Sequence, residues 1–217
     1  MKKYKGVIFD LAGLLIDSER MGIENAVKVA ERMNVPITRE VVKKTIGITY
    51  ADTIACYLEH VGEKDKLDAF LKEESKAYDR LMDNNLVPLK PGAAELLEYL
   101  NNKGYQMVIA SSSSHRYIVR MLEPKGVLGY FRDIISSNDV TKGKPDPQVF
   151  LIAASRMGLK PEECVVFEDS LNGLLAAVNG NFDCILVPDV ISFSDEELKK
   201  ATYVFDSLEE VVKTDIF

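Results

Sequence analysis

Apolar and polar positions along this chain change their period twice. Gly6-Val7-Ile8-Phe9 is a short unbroken apolar run that stops on Asp10, the pattern of a strand buried on both faces. From Ser18 to about residue 84 the period becomes helical. Ile23, Ala26, Val27, Ala30 and Met33 recur at the spacing of one helix face. Thr38 can cap a short helix through Lys44. Thr49-Tyr50-Ala51-Asp52 opens a helix to about His60 in the manner of a capping box. A charged helix is expected over about 65–82, its many Lys and Glu forming a solvated face.

After Pro88 helices and strands alternate. The pattern predicts a helix over 92–103 closed by Gly104, then a buried strand at Met107-Val108-Ile109-Ala110 that runs into four serines. A helix over 115–122, a short strand at Ile134-Ile135 and a helix over 147–157 closed by Gly158 follow. Cys164-Val165-Val166-Phe167 reads as a strand, 171–178 as a helix and Cys184-Ile185-Leu186-Val187 as a strand. An edge strand at Tyr203-Val204-Phe205 and a terminal helix end the series. The implied fold class is α/β, a parallel sheet with helices on both faces. The domain reading is a core over 1–16 and 86–217 interrupted by an all-α, four-helix-type insert over 17–85. An insert directly after the first strand is placed to act as a lid over what Asp10 binds.

Composition narrows the partners. A chain of 217 residues, 47% hydrophobic and 28% charged, has the make-up of a soluble globular protein with a sizeable core. The net charge of −7 and the lack of a basic stripe argue against a nucleic-acid partner. The apolar run after Met1-Lys2-Lys3-Tyr4-Lys5 is too short for a signal peptide or a membrane span. The expectation is a cytoplasmic protein with no membrane partner, monomeric by default. Cys56, Cys164 and Cys184 lack metal-ligand spacing, and the last two read as reduced core residues.

Four predicted strand ends or adjacent loops carry polar groups: Asp10; Ser111-Ser112-Ser113-Ser114; Lys142-Gly143-Lys144-Pro145-Asp146-Pro147; and Glu168-Asp169-Ser170. Parallel strands bring their carboxyl ends to one edge, where ligands bind in open α/β sheets. Hydroxyl and lysine suit phosphate oxygens, and carboxylates suit magnesium. Singly, each group has a plainer explanation. Ser112 to Ser114 can cap a helix, a loop lysine is usually solvated, and Glu168 and Asp169 can complement a helix dipole.

Phe9-Asp10-Leu11-Ala12-Gly13, Ile109-Ala110-Ser111-Ser112, Gly143-Lys144-Pro145-Asp146-Pro147 and Phe167-Glu168-Asp169-Ser170 with Gly173, Ala176 and Ala177 together resemble the four motifs of the haloacid dehalogenase-like hydrolases. Ile16-Asp17-Ser18-Glu19 is similar to the beta-phosphoglucomutase-like phosphatase branch. The resemblance covers nearly the whole chain and implies a Rossmann-like core with a helical cap. It also implies a magnesium-dependent phosphatase of small phosphorylated metabolites, sugar phosphates or similar. By it, Asp10 is the nucleophile that takes up the phosphoryl group, and Ser111 and Lys144 hold phosphoryl oxygens. Magnesium would meet Asp10, the backbone carbonyl of Ala12, Asp169 and, directly or through water, Glu168. Ser112, Glu19, and the loop of Gly47, Thr49 and Tyr50 would face substrate.

The departure is Ala12, where the motif has a second aspartate whose carboxyl is the general acid/base. Loss of that carboxyl is expected to cost ~10²–10⁴-fold in turnover. Three accounts stand: a substitution made to trap an inactive enzyme, a natural variant with lost or altered chemistry, or the phosphonoacetaldehyde hydrolase branch, whose first motif reads Asp-x-Ala-Gly. That branch carries a Schiff-base lysine in its cap where this chain has Tyr50. The mutases carry a cap histidine and arginine where this chain has Met21-Gly22-Ile23 and Tyr50, so a hydrolase-type cap fits better. A non-catalytic protein that binds phosphorylated metabolites is the alternative from another class.

Overall fold

The computed structural model describes residues 4–46 and 50–217. The chain forms two compact units, one from residues up to Asp17 with Pro88–Phe217, the other Ser18–Val87. The first is built on six parallel strands: β1 (Gly6–Phe9), β2 (Gln106–Ala110), β3 (Asp133–Ile135), β4 (Cys164–Glu168), β5 (Asp183–Leu186) and β6 (Tyr203–Val204). Their order across the sheet is β3-β2-β1-β4-β5-β6. The order reverses at β1, which lies between β2 and β4, so the groups after these three strands meet at the switch point.

The apolar runs explain the sheet. Val7, Ile8, Phe9, Val108, Ile109, Val165, Val166 and Phe167 are all fully buried, as strands covered on both faces require. Phe9 and Phe167 are register partners on β1 and β4, with stacked rings 4.8 Å apart. Each buried ring contributes about 1.5–3 kcal/mol of burial, and the pair anchors the core one residue before Asp10 and Glu168.

The Ser18–Val87 unit holds α1 (Ser18–Met33), α2 (Arg39–Lys43), α3 (Tyr50–Val61) and α4 (Lys64–Asp83). Thr38 caps α2 as its sequence suggests, its hydroxyl accepting from the Val41 amide. Thr49, read as the start of α3, lies outside the described residues, as does Gly47. Tyr57 and Phe70 pack edge to face between α3 and α4, with centroids 6.0 Å apart. The sheet unit carries α5 (Ala93–Asn102), α6 (His115–Leu122), α7 (Gln148–Met157), α8 (Leu171–Asn179), α9 (Asp195–Leu198) and α10 (Leu208–Val211). Helix α9 was not expected, although Ser194 and Glu197 form a reciprocal capping box. Phe205, read as strand, lies past the end of β6. No described helix is long and apolar enough to cross a membrane.

Candidate active site

Asp10 follows β1, and its amide donates to the Phe167 carbonyl (3.0 Å), so the backbone leaves the sheet still paired with β4. Its carboxylate is buried. Burial pushes its pKa up to about 6, against the pull of the Lys144 ammonium and with a further upward push from Glu168. Charge on Asp10 is therefore held by its lysine.

Lys144 reaches the edge from the loop before α7. Its Nζ donates to Asp10 Oδ1 (2.5 Å), Glu168 Oε1 (2.6 Å) and the Ala110 carbonyl (3.2 Å). That uses all three ammonium hydrogens. The ring of Phe150 lies 4.7 Å from Nζ, a cation–π contact on the remaining side. Burial by itself lowers the lysine's pKa, but the charges of Asp10 and Glu168 outweigh it and hold the ammonium form. The loop is organised by Gln148, whose Oε1 accepts from the Thr141 and Lys142 amides (2.9 and 3.0 Å). Lys142, the other loop lysine, is exposed and pairs with Asp146 at 3.6 Å.

Glu168 is the last residue of β4 and is fully buried. Its Oε2 accepts from the Asp169 amide (3.0 Å), the Ser170 amide (3.1 Å) and the Ser170 hydroxyl (2.9 Å). A Cβ on Gly173 would stand 1.8 Å from this carboxylate, so a glycine is required for close approach in the first turn of α8. Both oxygens of Glu168 are thus engaged inside the protein, Oε1 by Lys144 and Oε2 by the Asp169–Ser170 turn. The sequence could not show this, because which way a strand-end side chain turns depends on the lysine delivered by a distant loop.

Ser111 follows β2 and is buried, its amide donating to the Ile135 carbonyl (2.9 Å) and its hydroxyl accepting from the Ser113 amide (3.2 Å). Ser114 caps α6, so the plainer reading of the serine run holds for its last member. Ser111, Ser112, Ser137, Gly143 and Lys144 line a common cavity of about 180 Å³. In the other unit, Glu19 lies in the first turn of α1, and Tyr50 opens α3 with its side chain exposed.

A divalent cation fits the remaining donors. Gly13 has φ +79° and a bare Cα, against which the Asp169 carboxylate rests; a Cβ there would stand within 3 Å of two of its atoms. Among the described residues no three acidic, imidazole or thiol side chains form a metal cage. The candidate set is Asp10, Asp169 and the Ala12 carbonyl, with Glu168 beside them, all oxygen, which suits magnesium held by one or two carboxylates and substrate phosphate. Lys90 and Asp189 complete this edge and were missed from the sequence, although Val187-Pro188-Asp189 also follows a parallel strand.

The comparisons agree with this geometry. A phosphorylated carbohydrates phosphatase of Thermotoga maritima is 30% identical over 83% of this chain and 83% of its own length. The beta-phosphoglucomutase of Bacillus subtilis is 30% identical over 79% of this chain and 78% of its own. The crystal structure of a candidate beta-phosphoglucomutase from Thermotoga maritima superposes with a TM-score of 0.82 at 28% identity, covering 96% of this chain and 97% of that one. Residues 7–187 match the family described as haloacid dehalogenase-like hydrolase, and with its four motifs gathered at one sheet edge the chain belongs to that family.

Proposed function

We propose that this chain is a magnesium-dependent phosphatase of small phosphorylated metabolites, sugar phosphates foremost, slowed at its proton-transfer step by Ala12. The observation that carries the reading is the buried Asp10–Lys144–Glu168 cluster beside the Ser111 cavity. Phosphatase relatives support the reaction class. Asp10 attacks phosphorus, and the bond from phosphorus to the metabolite oxygen breaks with its electron pair on that oxygen. Lys144 offsets the charge of Asp10 before attack, and its contact with the Ala110 carbonyl is the one it can exchange for a phosphoryl oxygen. Ser111 supplies a hydroxyl to a second. Glu168 keeps Lys144 charged and aimed. Asp10, Asp169 and the Ala12 carbonyl would hold magnesium, which neutralises charge on the phosphoryl oxygens.

Ala12 contributes only backbone, so neither the departing alkoxide nor the water that later cleaves the aspartyl-phosphate finds a carboxyl here. The Ser18–Val87 unit is assigned substrate selection, with Glu19, Gly47 and Tyr50 as its contacts to substrate, and Ser112 is assigned a further contact from the sheet unit. Tyr50 in place of a lysine favours this reading over phosphonoacetaldehyde chemistry.

The test is magnesium-dependent phosphate release from a panel of sugar phosphates by this chain and its Ala12→Asp variant. The variant is expected to be ~10²–10⁴-fold faster. Equal rates would mean that another residue moves the proton. Silence from both would favour phosphonate chemistry or a protein that only binds its metabolite.

A further inference from the structure

Beside Gly13 a second carboxylate faces Asp169. Asp189 comes three residues after β5, and the Val187 amide donates to the Glu168 carbonyl (2.8 Å), which ties the segment to the end of β4. The Asp189 side chain is only 9% exposed. Its Oδ1 accepts from Lys90 Nζ at 2.5 Å, and Lys90 also lies 3.9 Å from Asp17 Oδ1. Asp189 Oδ2 is buried and meets no donor among the described residues. That oxygen is aimed at the bare face of Gly13: a Cβ built there would lie 3.2 Å from it and 2.2 Å from Asp169 Oδ2. Carboxylates from two neighbouring strand ends thus converge on one patch of glycine backbone.

A buried anionic acceptor is costly without a donor, and a second carboxylate nearby raises the cost. Lys90 answers the charge of Asp189 only from the far side, on Oδ1. A hydrated cation at Asp169 supplies both things the inner oxygen lacks, positive charge and O–H donors. Lys90 is held firmly enough to set the balance. Its amide donates to the Leu15 carbonyl (2.9 Å), and the Asp17 amide to the Pro88 carbonyl (3.0 Å), pairing these two segments within the sheet unit.

We propose that Asp189 is a positioning residue of the metal site. Its Oδ2 accepts from a water carried by the cation at Asp169, and Lys90 limits how much of the Asp189 charge that cation feels. This rests on the reading of Asp10 and Asp169 as the metal's side chains.

Magnesium titrated alone into the full chain and followed by calorimetry tests this without turnover. Asp189→Asn keeps the size and removes the charge, and is expected to weaken binding about ten-fold, the usual scale for an outer partner of a metal site. Lys90→Met removes the opposing cation and is expected to tighten it. A purely structural role would weaken binding in both, so opposite signs are the diagnostic result. Shifts of the same sign, or no shift in either, overturn the inference and leave the metal reading standing. If Asp189→Asn fails to fold, the sign shown by Lys90→Met decides; if Lys90→Met fails to fold, Lys90→Gln takes its place. Absence of magnesium binding in the unmodified chain would overturn the metal reading and this inference together.

Discussion

Two lysine–carboxylate pairs of equal length sit at opposite ends of the same strands. Before β1 and β4, Lys5 donates to Glu163 at 2.6 Å, with the lysine side chain 60% exposed. After them, Lys144 donates to Glu168 at 2.6 Å, with both side chains buried. Bond length does not distinguish them. At the amino edge water competes for both partners, and a pair of this kind contributes little. At the carboxyl edge both side chains are shut off from water, with the Phe150 ring against the ammonium, so neither charge can turn to solvent and the loss of one strands the other. A charged cluster kept in such a place points to function, and the same logic separates the site from the many solvated pairs elsewhere.

The strongest way to break the comparison is Lys144→Met. It strands Asp10 and Glu168 and is expected to cost about 3–5 kcal/mol in urea unfolding; a loss no greater than that of Lys5→Met would mean that the buried cluster is solvated after all. Gly173→Ala drives a methyl into the Glu168 carboxylate and is expected to cost about 1–3 kcal/mol, with Asp10 and Lys144 untouched in sequence. If that variant is as stable as the parent, Glu168 has room to turn away and its hold on Lys144 is loose.

Glu74 sharpens the contrast, being a half-buried carboxylate with no lysine pair among the described residues. It faces Asn25, whose Nδ2 donates to Oε1 at 2.9 Å, and burial raises its pKa despite that bond. A carboxyl raised in the folded state loses stability as pH rises through its folded pKa. Glu74→Gln should therefore raise the melting temperature at neutral pH, with the gain vanishing as pH falls into the ordinary carboxylate range. A gain that persists or grows in acid would contradict the burial argument. Smallest of all, Lys5→Met is expected to leave the urea midpoint unchanged at any salt concentration.

Much of this was legible in the sequence, for identifiable reasons. Strands buried on both faces leave unbroken apolar runs, so β1, β2 and β4 could be read directly, and glycine closed α7 at Gly158 in the left-handed conformation. Asp10, Ser111, Lys144 and Asp169 were legible because each follows or precedes an element in a motif of fixed order. The bond between Glu168 and Lys144 was not, since the lysine comes from a loop 24 residues away. Gln148 was hidden as an ordinary helix residue until its side chain turned back on the loop. Lys90 and Asp189, 99 residues apart, carry no local pattern.

The sequence by itself determined the order of the strands and of the helices other than α9, the helical insert and the chemistry present at the ends of β1, β2 and β4. Local pattern and chain order suffice for that, because periodicity and turn chemistry are properties of neighbouring residues. Only the tertiary structure decided which charges are dry. It turned Glu168 inward onto Lys144, raised Asp10, and set Asp189 against Gly13 beside Asp169, because burial and the direction of a side chain arise from atoms distant in the chain.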